Sequence, residues 1–188
     1  MKLYLSSYRL GNHAEQWRRA KDISRYLKVW FSSSPLTPLL RIDYNMEMKI
    51  LFVCKGNNCR SQMAETLYNH LTNSTDASSA GTRVEGVGDT LGEFGKRPGV
   101  KSFTVDVMRD AGFDIQDKVQ TQLTKDMLTK YDVVVSMAAK QFTPTWLSSA
   151  PNYIYWKIPD PKGRSYEFTS HAKDAVELKV HELIKTKG

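Results

Sequence analysis

The feature that most constrains this chain is a strand, a tight loop and a helix start in direct succession. Residues 48–53 form an apolar run typical of a buried parallel strand, and the string VCKGNNCRS occupies residues 53–61. A helical pattern begins directly afterwards. A cysteine at a helix N-terminus lies near unpaired backbone N–H groups and the positive end of the helix dipole, which favour thiolate over thiol. Cys54 is therefore a candidate nucleophile.

The spacing between Cys54 and Arg60 indicates what this nucleophile attacks. The loop is long enough to curl round a tetrahedral oxyanion, with backbone N–H groups pointing inward and the arginine fork closing the ring. Gly56 lets the backbone approach the anion closely, and Asn57 tolerates a left-handed conformation. Ser61 is placed to donate its hydroxyl to the cysteine thiolate. The sequence thus predicts a phosphate cradle.

The string VCKGNNCRSQMAE, residues 53–65, resembles the signature of the low-molecular-weight protein tyrosine phosphatases, which is close to VCxGNxCRSPxAE. It is equally similar to the thioredoxin-coupled arsenate reductases built on the same fold. The resemblance extends from about residue 48 to the C-terminus, and the SSAGT string at residues 78–82 shares it. Besides catalytic roles for Cys54 and Arg60, it implies a substrate-binding role for Lys55, Gly56, Asn57, Asn58, Cys59 and Ser61.

A phosphate ester also needs an acid that protonates its departing oxygen, and that acid should lie on a loop over the cradle. Residues 157–161, KIPDP, follow the last predicted strand, and prolines on both sides stiffen the backbone around Asp160. The resemblance implies that Asp160 is the general acid; from the residues alone, a turn aspartate is the alternative. Typical eukaryotic members have paired tyrosines after this Asp-Pro, whereas Lys162 and Gly163 follow here, which bears on phosphotyrosine specificity.

Cys59 admits three interpretations. It is a small buried residue at the helix start, or the partner of Cys54 in a reversible disulfide, or a metal ligand. Metal fits least, because zinc needs three or four ligands and no histidine lies within ten residues of either cysteine. We expect neither a metal nor a cofactor. An arsenate reductase would need a relay cysteine, which the resemblance places well downstream of the loop, and no cysteine follows Cys59.

The remaining pattern predicts the fold. Strands are expected at residues 48–53, 76–80, 132–137 and 153–156, and helices from near residue 60 and at 103–111, 124–131, 141–148 and 169–185. This alternation implies a three-layer α/β/α domain with a four-stranded parallel sheet and right-handed crossovers. Ligands in such folds bind beyond the strand C-termini, where the cradle is predicted. Residues 81–99 hold six of the eleven glycines and suggest a long loop that overhangs it.

Residues 1–47 lie outside the family resemblance and are expected not to belong to the catalytic core of residues 48–188. They hold eight Lys/Arg and four Asp/Glu, which is +4 of the total net charge of +7. Residues 2–12 faintly resemble the opening strand and turn of dipeptidase E-like serine peptidases, and residues 13–30 have helical spacing. Three interpretations of residues 1–47 stay open. They are an appendage or misassigned upstream sequence, with the native start at Met46 or Met48; or they pack on the domain; or they form a separate binding element.

The composition, 40% hydrophobic and 25% charged over 188 residues, is ordinary for a globular protein. No apolar run approaches the roughly 18 residues of a membrane helix, and no secretory-signal pattern is present. Two cysteines suggest reduced thiols in the cytoplasm.

We therefore expect a cytoplasmic phosphomonoester hydrolase of the protein tyrosine phosphatase type, with a phosphocysteine intermediate on Cys54. Its partner is a phosphorylated protein or a small-molecule phosphate, not nucleic acid or membrane. The oligomeric state stays open, and the alternatives are an arsenate reductase and a non-catalytic phosphate-binding module.

Overall fold

The computed structural model of the chain describes residues 48–187. In chain order its elements are β1 (Ile50–Cys54), α1 (Arg60–Thr72), β2 (Ala77–Gly81), α2 (Leu91–Gly95), α3 (Thr104–Asp110), β3 (Val133–Ser136), α4 (Thr145–Ser148), β4 (Tyr153–Tyr155) and α5 (Tyr166–Lys187). Two 3₁₀ helices, Lys125–Lys130 and Lys140–Phe142, lie before and after β3. The strand and helix expected within residues 1–47 fall outside the described residues.

The four strands form one parallel sheet in the order β2-β1-β3-β4, which confirms the predicted fold class. β1 lies at the centre, and all five of its residues are buried, as its continuous apolar sequence requires. Cys54 pairs with Gly81 at the end of β2, and Val53 pairs with Ser136 at the end of β3. The C-termini of three strands therefore meet where Cys54 leaves the sheet.

The two faces of β1 pack on different layers, because successive side chains of a strand point to opposite sides. Ile50 and Phe52 join a core cluster with α1, α3 and α5, and the Phe52 ring lies 5.6 Å from that of Trp156. Leu51 and Val53 join a second cluster with the 3₁₀ helix Lys125–Lys130 and α4. These clusters hold β1 from both sides, so Cys54 at its C-terminal end has a fixed position.

Several predicted elements differ from those observed. The α-helix predicted at residues 124–131 is instead the 3₁₀ helix Lys125–Lys130. The helix predicted at residues 141–148 divides into a 3₁₀ turn and α4, because Pro144 disfavours helical backbone at Thr143, which is extended. α5 begins three residues earlier than predicted, where the Ser165 hydroxyl accepts a hydrogen bond from the backbone N–H of Phe168.

The glycine-rich segment at residues 81–99 is not a continuous loop, contrary to our prediction, because it contains α2. Thr90 and Glu93 form a capping box at the start of this helix, in which each side chain accepts a hydrogen bond from the other residue's backbone N–H. The buried side chains of Leu91 and Phe94 anchor α2 to the domain. Residues 82–90 connect β2 to α2. Within residues 48–187, no helix has the length and apolar character needed to span a membrane.

Candidate active site

Cys54 lies at the C-terminal end of β1, and α1 begins at Arg60, so the loop between them occupies the edge of the sheet where ligands bind in such folds. We call residues 54–60 the cradle. The Cys54 Sγ atom is 3.1 Å from the Ser61 hydroxyl and accepts a hydrogen bond from the backbone N–H of Asn57 at 3.2 Å. Both contacts, with the nearby N-terminus of α1, stabilise negative charge on sulfur.

Asn57 fixes the shape of the cradle. Its backbone is left-handed, with φ of 52°, and its side chain is fully buried. The Asn57 Nδ2 atom donates to the hydroxyls of Ser61 and Ser79, each at 2.9 Å. Its Oδ1 atom accepts from the backbone N–H of Thr121 at 2.7 Å. One side chain thereby ties the cradle to β2 and to the loop before the first 3₁₀ helix.

Gln62 adds a second tie at the position where the family signature has proline. The Gln62 Nε2 atom donates to the backbone carbonyls of Asn57 at 3.2 Å and Val119 at 3.0 Å. Gly81 lets β2 approach closely, because a Cβ there would lie 2.8 Å from the Asn57 nitrogen. The backbone N–H of Thr82 then donates to the Cys54 carbonyl at 2.9 Å, which prolongs the sheet into the cradle.

Arg60 is 4% exposed and joins the cradle to two other strand ends. Its Nη1 atom donates to the carbonyls of Met137 and Ile158 at 2.7 and 3.0 Å. Its Nη2 atom lies 2.7 Å from the Asp160 carboxylate. The Arg60 Nε atom is buried and has no hydrogen-bond partner within residues 48–187, so this donor is available to an anion in the cradle.

Asp160 lies in the same small pocket as Cys54 and Arg60, as the sequence predicted for its loop. Its side chain is 44% exposed, and its second oxygen accepts from the backbone N–H of Lys162 at 3.1 Å. The carboxylate therefore lies at the pocket's opening, where a departing group would pass. Because it uses Arg60 Nη2, it competes with any oxyanion for that donor.

Lys55 and Asn58, the variable cradle positions, also line the pocket, as do Gly56 and Cys59. The Lys55 ammonium lies 4.2 Å from the centroid of the Phe142 ring, a cation–π contact. Gly56 faces the Asn58 side chain, which a Cβ would approach to 2.8 Å. All the predicted site residues except Asn57 and Ser61, which are fully buried, thus line one pocket.

The mouth of the pocket holds three residues that the sequence analysis did not identify: Arg83, Glu85 and Lys162. The Lys162 ammonium contacts both carboxylate oxygens of Glu85, at 2.8 and 2.9 Å. This hydrogen bonding lowers the pKa of Glu85, and the charges of Lys55 and Arg83 act in the same direction. We call Lys55, Arg83, Glu85 and Lys162 the rim.

A second cavity of about 280 Å³ adjoins the cradle pocket. The two share Asn58, Cys59, Glu85 and Lys162, so the ion pair of the rim stands between them. Phe94 and Phe103 supply apolar wall, and Thr104 and Thr169 contribute hydroxyl groups. A group attached to a phosphate in the cradle has this cavity as one route for its remaining atoms.

Cys59 occupies the position before α1 and is 7% exposed, as the simplest of our three interpretations predicted. Its sulfur lies 3.9 Å from that of Met63 in the core. Burial raises the pKa of the Cys59 thiol to about 12, so it stays protonated at neutral pH. Both cysteines are free thiols. Over the described residues, no group of three or more His, Cys, Asp or Glu side chains is arranged to bind a metal ion.

The fold and this site together define a parallel α/β protein with a cysteine and an arginine in an oxyanion-sized cradle. The family model described as low molecular weight phosphotyrosine protein phosphatase matches residues 49–187. The chain therefore belongs to this family.

Individual relatives carry two kinds of name. An arsenate reductase from Brevibacillus brevis is 29% identical over 140 residues, which cover 73% of this chain and 94% of the relative. A low molecular weight protein tyrosine phosphatase from T. tengcongensis has 25% identity, a TM-score of 0.60 and coverage of 74% and 99%. Wzb of Vibrio vulnificus, solved with benzylphosphonate, has 24% identity, a TM-score of 0.62 and coverage of 74% and 98%, a likeness in fold.

Proposed function

We propose that the chain is a phosphomonoester hydrolase whose activity resides in residues 48–187. The observation that carries this proposal is the placement of Cys54, Arg60 and Asp160 around one pocket, with the Cys54 sulfur held by Asn57 and Ser61. A nucleophile, an anion-binding fork and a carboxyl group are the three parts that the reaction needs.

In the first step, the Cys54 thiolate attacks phosphorus in line and forms an S–P bond. Arg60 and the cradle N–H groups stabilise the equatorial oxygens, and the P–O bond to the leaving group breaks. The incoming phosphoryl oxygens displace the Asp160 carboxylate from Arg60; it takes up a proton from solvent and donates that proton to the departing oxygen.

In the second step, Asp160 accepts a proton from water, which attacks phosphorus and breaks the S–P bond. Phosphate is released and the Cys54 thiolate is regenerated, so no cofactor is consumed. Because turnover needs a reduced Cys54, the reaction belongs in a reducing compartment such as the cytoplasm. The substrate is a phosphorylated protein or a small-molecule phosphate; the family description, and the name of the T. tengcongensis relative, favour phosphotyrosine.

The test compares hydrolysis of phenyl phosphate by the wild type, Cys54→Ser and Cys59→Ser. We expect Cys54→Ser to lose turnover by at least about 10³-fold, because a serine hydroxyl without a general base is a poor nucleophile. Cys59→Ser should stay within about tenfold of the wild type, because its side chain points to the Met63 sulfur rather than supplying the nucleophile. Equal rates for wild type and Cys54→Ser would refute the proposal.

Arsenate reduction is the second candidate, because the curated relatives include the Brevibacillus brevis arsenate reductase. The names of relatives support it at least as well as hydrolysis. Cys54 would attack arsenate, and a second thiol would attack the adduct, so that two thiols form a disulfide while As(V) becomes As(III). The sequence holds two cysteines, and Cys59 is buried against Met63 with its pKa raised to about 12, which disfavours it as that second thiol.

Oxidation of reduced thioredoxin in the presence of arsenate tests this alternative. We expect a rate no greater than that of the arsenate-free control. Arsenate-dependent turnover that Cys59→Ser abolishes would replace hydrolysis as the proposed function.

A further inference from the structure

The rim differs from the rest of the pocket in the chemistry that it presents to a leaving group. The residues that line the cradle pocket include four cations, two carboxylates and no aromatic side chain; they are Cys54, Lys55, Gly56, Asn58, Cys59, Arg60, Arg83, Glu85, Asp160 and Lys162. The pocket's own lining therefore offers a flat apolar ring no stacking partner, and Phe94 and Phe103 lie in the adjoining cavity. Charge, not ring packing, is what the mouth offers a substrate.

The charges at the mouth do not balance. Asp160 pairs with Arg60, and Glu85 pairs with Lys162. Lys55 and Arg83 have no carboxylate partner in the part of the chain that the structure describes, although both line the pocket with Glu85. Three rim cations thus surround a single carboxylate, and the surplus is +2.

This surplus is separate from the groups that hold the scissile phosphate. Arg60 is buried and tied to the ends of two strands, whereas Arg83 is exposed and the Lys162 and Glu85 side chains are 47% and 50% exposed. An exposed pair of this kind contributes little stability, so an anion on the substrate can replace Glu85 as the partner of Lys162. Such an anion would gain Arg83 and Lys55 as further neighbours.

We propose that Lys55, Arg83 and Lys162 form a subsite for a second anionic group, and that the substrate is a phosphomonoester with a carboxylate or a further phosphate near the scissile phosphate. The proposal rests on the hydrolase function proposed above and names its substrate class. Glu85 competes with that group for Lys162. A neutral leaving group leaves the Glu85–Lys162 ion pair intact, whereas an anionic group displaces Glu85. The rim residues are specificity determinants, and none of them takes part in bond breaking.

The experiment uses the full chain and a matched pair of probes, 3-carboxyphenyl phosphate and 3-carbamoylphenyl phosphate, which have the same shape and differ in one negative charge. We expect wild-type kcat/KM to be about fivefold higher for the carboxylate, mainly through KM, as one exposed ion pair allows. Arg83→Gln and Lys162→Gln should bring this ratio close to one, and Glu85→Gln should raise it. Lys125→Gln, at an exposed position away from the pocket lining, should leave it unchanged.

A wild-type ratio of one for both the aryl probes and the peptide pair described below, or an equal loss for both members of each pair in Arg83→Gln, would overturn the subsite, because the rim would then serve only the scissile phosphate. Failure to hydrolyse either probe would instead overturn the proposed function, so the two failures are distinguishable. Phosphotyrosine peptides with Glu or Gln beside the phosphorylated residue form a second arm. If only the peptides show a preference for the negatively charged member, the second anion is a neighbouring residue of a protein substrate. If the aryl probes show it too, the second anion can lie on the leaving group itself.

Discussion

The cradle and the rim line the same pocket but are built in opposite ways. Asn57 in the cradle and Ser61 and Gln62 behind it are at most 1% exposed and are joined by side-chain hydrogen bonds. Glu85 and Lys162 at the rim are about half exposed and joined by one ion pair. A buried network holds a single geometry, whereas an exposed pair exchanges partners at little cost. This difference supports our proposals that the cradle carries out the chemistry and that the rim selects the phosphate.

The largest effect is expected from Arg60→Lys, because this arginine serves the cradle through a fork that lysine lacks. An ammonium cannot hold Met137, Ile158 and an oxyanion in the geometry of the fork. We expect kcat/KM for phenyl phosphate to fall by about 10²–10³-fold. Steady-state kinetics measure the loss, with Lys125→Gln as a folding-neutral reference. A loss below tenfold would mean that the fork is not the phosphate ligand.

Asp160→Asn comes next, and it should act in opposite directions on turnover and on anion affinity. Loss of the general acid should lower kcat by about 10²-fold for a poor leaving group and less for a good one. Loss of the carboxylate should also free Arg60 Nη2, so inorganic phosphate should inhibit several-fold more tightly, by an amount consistent with a partly exposed ion pair. Inhibition constants and a leaving-group series measure both effects. Weaker phosphate binding in the variant would contradict the competition between Asp160 and substrate.

Asn57→Ala in the cradle and Glu85→Gln at the rim together compare how much each region contributes to stability. It removes a buried network and leaves alanine in a left-handed conformation, so we expect the free energy of unfolding to fall by about 3 kcal/mol. Asn73→Ala is the matched control, because Asn73 also has a positive φ, of 53°, but is exposed. It should cost about 1 kcal/mol. Glu85→Gln at the rim should change stability by less than about 0.5 kcal/mol.

Urea denaturation of the wild type and these three variants gives the free energies. Equal losses for Asn57→Ala and Asn73→Ala would show that the hydrogen-bond network adds nothing beyond the backbone conformation.

The last expected effect concerns Cys59 and is confined to alkaline pH. Burial raises its pKa from 9.0 to about 12, so above pH 9 the unfolded chain releases this proton while the folded chain retains it. The folded state then binds more protons, and stability falls as pH rises, by up to about 1.4 kcal/mol per pH unit. Denaturation of wild type and Cys59→Ala at pH 9 and above should show a shallower fall in the variant. Parallel pH profiles of wild type and variant would mean that the Cys59 thiol ionises as easily in the folded chain as in the unfolded chain.

The sequence predicted the cradle well because the information is local. Cys54 through Ser61 form one contiguous motif between a strand and a helix, and Asp160 is marked by its flanking prolines. The supports come from residues distant in sequence: Asn57 contacts Thr121 64 positions away, and Lys162 contacts Glu85 77 positions away. Single-sequence patterns do not encode which distant loops meet. The capping box of Thr90 and Glu93 was an available signal for α2 that the glycine content obscured.

Gln62 was missed for a different reason. It stands where the family signature has proline, and a departure from a signature does not reveal what the new side chain contacts. The structure shows that its amide links the cradle carbonyl of Asn57 to that of Val119. Arg83 was missed because exposed charges follow no periodic pattern. The positions of the cradle residues were thus predictable from the sequence, whereas the contacts of the rim required the fold.

The central claim is that the Cys54 sulfur becomes bonded to phosphorus during turnover. The most direct test mixes the enzyme with 2,4-dinitrophenyl phosphate, whose leaving group departs without an acid, quenches within the first turnovers and maps the phosphoryl group by peptide mass spectrometry. Asp160→Asn serves as the variant in which the second step is slowed. We predict one phosphoryl group on the peptide containing Cys54, more abundant in Asp160→Asn than in the wild type and absent in Cys54→Ala. Turnover with no label on Cys54, or with the label on another residue, would contradict the account.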